Sequence, residues 1–360
     1  MSSHVFSNFK LGDMLLHNRV VMAPMTRSRC EGNLPNDLVA TYYAQRAEAG
    51  LIITEGTSPS DNGLGYARIP GLFTSEQMHA WQKVTEAVHK AGSRIFVQLM
   101  HCGRVAHPDN MMSGLEIVAP SPVALKGEQM WTDQNGMQDF PVPEELTESE
   151  ILSLIEEYAH SADLAIQAGF DGVELHGANG YLIDQFLNTA SNHRHDRWGG
   201  SIENRIRFAV EVTKAVAKKI GPQKVGIRLS PYGAFNGMVA DSHTEDLYER
   251  LAQDLQKLEI LYVHIVDHSS MGAPEVKPSV KEKIRKNFKG VVILSGGYDL
   301  KKAEHDLADK KGDLFAFGRP FISNPKLVSK LKKHAALLPS DHNTFYTPGA
   351  KGYTDYPVEG

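Results

Sequence analysis

Cysteine is nearly absent from this chain: Cys30 and Cys102 are the only two among 360 residues. Two thiols cannot build a disulfide framework or ligate an iron–sulfur cluster, and their scarcity fits a reducing compartment. No stretch approaches the roughly 18 consecutive apolar residues that a membrane span requires. The opening residues, Met1 to Lys10, carry no apolar core of signal-peptide length. A formal charge of −5 leaves no basic footprint for nucleic acid or an anionic membrane. A Gly-x-Gly-x-x-Gly fingerprint after the first apolar run is missing too, which argues against an open dinucleotide-binding sheet. These absences predict a cytoplasmic protein that handles small molecules and binds neither nucleic acid nor membrane.

What the chain does have is rhythm. Short apolar runs rich in Val, Ile and Leu stand at 19–24, 50–55, 94–99, 172–175, 224–229, 261–266, 291–294 and 313–317. Helical patterns alternate with them: a helix opened by Pro35-Asn36-Asp37 through about Ala49, one after the capping box at Thr74, and one after the capping box at Thr147 that ends at Gly169. Five more follow at 202–220, 244–258, 280–288, 300–309 and 325–334. Unbroken apolar strands signal a parallel sheet buried on both faces, and eight strand–helix units predict one (β/α)8 TIM barrel spanning 1–360. One connection breaks the rhythm. Residues 100–146, rich in Pro, Gly, Met and Asp, read as a capping excursion after the third strand.

Chemistry in such a barrel gathers at the C-terminal strand ends. The first strand delivers Pro24, Met25 and Thr26, the second Gly56, and the third carries Gln98. The fourth leads within a few residues to His176, Asn179 and Tyr181, which combine an imidazole, an amide and a phenol. Gly296 and Gly297 follow the seventh strand, and Gly318 with Arg319 the eighth. Glycine turns expose backbone N–H groups, and loops after strands seven and eight commonly bind phosphate; with Arg319 added, a phosphate site is expected there. Arg228 interrupts an apolar strand. It either pairs with a core carboxylate such as Glu174 or holds a fixed positive charge beside a group that becomes anionic.

Ala-Pro-Met-Thr-Arg at 23–27, Gln-Leu-Met-His-Cys-Gly-Arg at 98–104 and His-Gly-Ala-Asn-Gly-Tyr-Leu at 176–182 resemble the old yellow enzyme family of flavin-dependent ene-reductases. So do Asp-Arg-Trp-Gly-Gly-Ser at 196–201, Ala-Phe-Gly-Arg-Pro-Phe-Ile at 316–322 and Gly-Tyr-Thr-Asp-Tyr-Pro at 352–357, in family order along nearly the whole chain. The resemblance implies non-covalent FMN, reduced by NADPH with NADH as the alternative, in a monomer or homodimer. It implies that Gly296, Gly297, Gly318 and Arg319 hold the FMN phosphate. Arg228 and Gln98 would meet the pyrimidine edge of the ring, Pro24, Met25 and Gly56 would pack nearby, and Thr26 would donate to the carbonyl near the reactive nitrogen. His176 and Asn179 would grip the carbonyl or nitro oxygen of an activated alkene, and Tyr181, a phenol with an ordinary pKa near 10, would protonate it.

Some members carry a second histidine where this chain has Asn179, several have tryptophan at Met100, and one branch has cysteine at Thr26. Tyr66 and Tyr346 match positions that line the family's substrate pocket. Rival readings are another FMN barrel, a non-catalytic phosphate-binding barrel, and a metal-dependent hydrolase built on His193-Arg194-His195-Asp196. A solvated loop accounts for that last cluster.

Overall fold

The eight apolar runs pair side by side and the ring closes. In the computed structural model, which describes residues 4–359, the strands are β1 (Val20–Met22), β2 (Leu51–Thr57), β3 (Arg94–Leu99), β4 (Gly172–Gly177), β5 (Val225–Leu229), β6 (Tyr262–Val266), β7 (Val291–Ser295) and β8 (Leu314–Phe317). All neighbours are parallel, and β8 returns to β1 with Ala316 opposite Val21. Met1–Ser3, the first part of the polar start, and Gly360 lie outside the described residues. Every residue of β2 is buried, since one face meets the barrel interior and the other the helical layer, which is why the runs are continuous rather than alternating.

The crossover helices are α1 (Asp37–Gln45), α2 (Ser75–Lys90), α3 (Glu148–Gln167), α4 (Ile202–Ile220), α5 (Thr244–Lys257), α6 (Pro278–Asn287), α7 (Leu300–Ala308) and α8 (Leu327–Lys332). Both predicted capping boxes form, Thr74 with Gln77 and Thr147 with Glu150. Two helix bounds differ from the sequence reading. The chain leaves α1 at Arg46, whose buried guanidinium donates back to Tyr42 O at 2.8 Å and across to Phe321 O at 2.8 Å and Ile322 O at 2.7 Å. The last helix, expected at 325–334, runs over Leu327–Lys332 only; a separate short helix, Arg319–Ser323, precedes it, and Pro325, with no N–H to give, stands in the break.

A hairpin of Phe9–Leu11 and Met14–Leu16, unpredicted in a start read only as polar, closes the barrel floor. Its Leu11 and Leu16 pack with Val21, Leu51, Ile53 and Phe96 in one buried cluster. At the other end, residues 100–146 contain a hairpin of Gln129–Thr132 and Gly136–Asp139 and a two-residue strand pair, Val118–Ala119 with Glu144–Glu145. Val105, Leu125, Met130 and Phe140 of this excursion form a small cluster against which Tyr66 and Tyr181 pack.

Candidate active site

Side chains on a strand point alternately to the two faces, so inward positions repeat every second residue. On β4 these are Glu174 and His176; the strand runs two residues past its predicted end, so His176 belongs to it. Register sets Glu174 beside Gln98 of β3, His176 beside Arg228 of β5, and Arg228 beside His264 of β6. Glu174, wholly buried, accepts hydrogen bonds from Gln98 Nε2 at 2.8 Å, Tyr262 OH at 3.1 Å and His264 Nδ1 at 2.9 Å. Burial would raise its pKa, but His264, Arg228 and Gln98 together outweigh that and hold it below the ordinary carboxylate value. Gly226 makes this possible. A Cβ there would lie 2.2 Å from the Tyr262 ring that reaches Glu174.

Glu174 is therefore occupied by three donors from neighbouring strands, and it forms neither a hydrogen bond nor an ion pair with Arg228. The guanidinium is 6 % exposed, its Nε is buried without a partner, and it faces a cavity of about 670 Å³. Of the alternatives the sequence left open, direct pairing with Glu174 does not form. Pro24, Met25, Thr26, Asn179, Gly296, Gly297, Gly318, Arg319 and Tyr346 line the same cavity. Gly296 has φ +110°, and a Cβ on it would sit 1.7 Å from Asp267 O. A Cβ on Gly318 would meet the Met25 sulfur at 3.7 Å and the Ala23 Cβ at 3.9 Å, ordinary contacts, so sterics alone do not require glycine there. Arg319 is exposed and bonds to no described residue.

Gln98, Gly56, His176, Tyr181, Tyr66 and Met100 do not line that cavity; they stand beside it. A bulge in the β2–β3 pairing between Ile53 and Gly56 turns Gly56 against Met100, whose sulfur would be 2.4 Å from any Cβ there. Met100 is itself buried, in a cluster with Tyr66 and Tyr181 packed against it. The Tyr181 and Tyr66 hydroxyls are 3.0 Å apart, and the Tyr181 ring meets the His176 ring edge-on with centroids 4.8 Å apart. The expected ordinary phenol pKa is corrected here. Burial first, then the Cys102 thiol and the Tyr346 phenol, push Tyr181 well above 10, more than the hydrogen bond from Tyr66 brings it down. Burial, and then Arg228, force His176 the other way, so its imidazole is neutral.

Asn179 bridges the two groups in a left-handed conformation, φ +60°, held from every side. Its N–H donates to Ser230 Oγ at 2.9 Å, its carbonyl accepts from Asn236 Nδ2 at 2.7 Å, and its side-chain Oδ1 meets His268 Nε2 at 2.8 Å. Asp184 Oδ2 accepts Gly180 N–H at 2.9 Å and the Ser230 hydroxyl at 3.3 Å. Burial pushes Asp184 up to about 7 against those hydrogen bonds. A carboxyl bound more tightly to its proton when folded stabilises fully below its unfolded pKa near 4, and that share is lost as pH rises through about 7. Asp184→Asn is therefore expected to gain about 2–4 kcal/mol relative to the parent between pH 4 and pH 8, read from urea midpoints. A difference that does not change with pH would refute it.

Several residues of this site were missed by the sequence reading. His268 and Ser270 line the cavity after β6, a strand end to which the sequence patterns assigned no site residue although Asp-His-Ser-Ser stands there at 267–270. Phe345, also missed, and Tyr346, which the resemblance had placed in the pocket, reach the cavity because the buried Arg27 and Arg29 hold the backbone carbonyls of the C-terminal segment, among them Gly352 O at 2.7 Å and Thr344 O at 2.7 Å. The solvated loop expected at 193–196 is in part wrong. Arg194 is buried, paired with Asp196 at 2.6 Å and donating to Pro120 O and Leu146 O, so the segment ties the excursion to the barrel. Among the described residues no three His, Cys, Asp or Glu side chains are grouped to hold a metal ion, and no helix is long and apolar enough to cross a membrane.

The sequence profile of the NADH:flavin oxidoreductase / NADH oxidase family matches residues 4–337. A rice (Oryza sativa subsp. japonica) 12-oxophytodienoate reductase 1 is 41 % identical over 97 % of this chain and 91 % of its own length. Among solved structures, morphinone reductase in complex with tetrahydroNAD is 41 % identical with a TM-score of 0.93, covering 99 % of this chain and 98 % of the other. An old yellow enzyme homologue from Zymomonas mobilis is 40 % identical with a TM-score of 0.94, over 98 % and 99 % of the two chains.

Proposed function

The chain belongs to the NADH:flavin oxidoreductase / NADH oxidase family, the old yellow enzymes, and we propose that within it this protein reduces the C=C bond of electron-poor alkenes with hydride from NAD(P)H. The observation that carries the reading is Arg228: a buried charge with no hydrogen-bond partner among the described residues, facing a cavity beside His176 and Asn179. A desolvated guanidinium of this kind is costly unless a ligand completes it.

The residues present fit FMN. Gly296, Gly297, Gly318 and Arg319, whose side chain bonds to no described residue, line one cavity and suit its phosphate. Arg228 and Gln98 suit the polar ring edge, Thr26 a ring carbonyl, and Pro24, Met25 and Gly56 the ring's surroundings. Bound FMN would supply the hydride, accepted from NADPH or NADH and passed to the β-carbon of the alkene. Arg228 offers a fixed positive charge where negative charge gathers. The neutral His176 imidazole and the Asn179 amide nitrogen then grip the substrate's carbonyl or nitro oxygen, stabilising the negative charge that grows there. Tyr181 gives its proton to the α-carbon, and the Tyr66 hydroxyl, donating to Tyr181 O, offsets the charge left behind.

On this reading residues 1–360 act as one FMN-binding barrel domain, 100–146 cap the site, and Tyr66, Met100 and Tyr346 shape the substrate's room. Nicotinamide and alkene use the cavity in turn, a ping-pong sequence. Support for nicotinamide as donor comes from the solved relative in complex with tetrahydroNAD. Enones, nitroalkenes and maleimides are the substrate classes the oxygen clamp suits, with nitro compounds and nitrate esters as further tests.

Purified protein is expected to be yellow and to release FMN on denaturation. Under anaerobic conditions NADPH or NADH should bleach it, and an enone or nitroalkene should restore the colour. A colourless protein that takes up no FMN would overturn the reading, as would colour restored by oxygen but by no alkene.

A further inference from the structure

An amide presents a donor on one side and an acceptor on the other, so Asn179 can grip a substrate oxygen only if its NH2 faces the cavity. Nothing within Asn179 decides that. Its backbone is pinned by Ser230 and Asn236, but rotation of the carboxamide would exchange the two atoms at little cost. Among the described residues the one side chain hydrogen-bonded to the amide is His268, with Nε2 2.8 Å from Oδ1. His268 stands at the end of β6 and packs edge-on against Phe235 with centroids 4.6 Å apart. Burial, then Arg228, drive its pKa down to about 4, so at neutral pH the imidazole carries a single N–H.

We propose that His268 is a positioning residue: its Nε2–H holds Asn179 Oδ1 and thereby commits the Asn179 NH2 to the substrate oxygen. This rests on the oxygen-clamp reading above. With the Nε2–H tautomer of His268 donating, the amide dipole is fixed with its positive end turned away from His268 and toward the cavity that Asn179 lines. Where the clamp would otherwise have a choice of two faces, the residue that follows β6, two strands along the ring from β4, removes it. His268 thus serves as the orienting partner that a site needs around any residue whose rotamer alone leaves the chemistry undetermined.

The test uses FMN-loaded enzyme and 4-chlorophenol, a probe whose oxyanion the proposed clamp would hold, with affinity read by calorimetry and by the change in flavin absorbance. His268→Ala is expected to weaken 4-chlorophenol about tenfold, the loss of one orienting hydrogen bond to a charge-binding group. His268→Gln, whose amide can donate to Oδ1, should stay within about threefold of the parent, whereas His268→Phe, which keeps the packing on Phe235, should behave like alanine. FMN content and melting temperature report folding in each. In an Asn179→Ala background the His268 substitutions should cost nothing further.

A packing role reverses the order of the phenylalanine and glutamine variants, and that result would overturn the proposal. So would losses that add in the double variant, or tighter binding by His268→Ala. If Asn179→Ala itself leaves 4-chlorophenol affinity unchanged, the clamp reading falls and the role of His268 with it. If Asn179→Ala weakens binding and His268→Ala does not, the role of His268 alone is refuted.

Discussion

Tyr181→Phe is expected to slow reoxidation of the reduced enzyme by an enone by about 10²–10⁴-fold, the usual contribution of a positioned acid, while leaving reduction by NAD(P)H within about threefold of the parent. Phenylalanine keeps the ring that packs on His176 and against the excursion, so only the hydroxyl is lost. That hydroxyl bonds to Tyr66 alone among the described residues. Because burial holds the phenol well above its ordinary pKa, Tyr181 stays protonated at neutral and mildly alkaline pH, and reoxidation should show no loss from phenol ionisation below about pH 10. Stopped-flow measurement of the two half-reactions separates the outcomes. Equal losses in both halves would make Tyr181 a structural residue, and no loss in either would require another proton source.

Arg228→Leu is expected to lower the midpoint potential of the bound flavin by about 60–90 mV, taking about 2.7–4 kcal/mol for one preorganised charge-stabilising group and about 1.4 kcal/mol per 30 mV for a two-electron couple. Two features enlarge the effect. Arg228 lies in a site where little water screens it, and its removal leaves the buried Glu174 carboxylate without that positive neighbour. Burial lowers the guanidinium's own pKa while Glu174 raises it, and arginine remains charged throughout the accessible range. Spectroelectrochemical titration of the FMN-loaded variant checks the shift. An unchanged or higher potential would place Arg228 away from the reacting ring.

The regular parts of the barrel were legible because their causes are local. Capping boxes at Thr74 and Thr147, apolar runs of strand length and the helical spacing of Leu247, Leu251 and Leu255 follow from rules that span a few residues. Errors fell where a distant group decides the outcome. Arg46 draws carbonyls from Phe321 and Ile322, far away in sequence, and α1 stops short. The polar run at 193–196 reads as solvated until Pro120 and Leu146 are found around Arg194. Gly226 looks like an ordinary strand glycine, yet the Tyr262 ring occupies the place of its side chain.

The candidate site divides along the same line. Residue types and their order along the chain were enough to assemble glycine turns, Arg319, Arg228 and the His176, Asn179 and Tyr181 trio at strand ends, since a parallel barrel brings all its C-terminal ends to one face. Sequence alone determined which groups are present and on which side of the barrel they gather. Closure of the ring decided how they are used: that Glu174 bonds to Gln98, Tyr262 and His264 and Arg228 has no hydrogen-bond partner among the described residues; that Tyr181 is buried beside Tyr66 and made a weaker acid; and that Asn179 Oδ1 meets His268. Charge state and amide orientation depend on desolvation and on neighbours from other strands, and those neighbours exist only once the strands have paired.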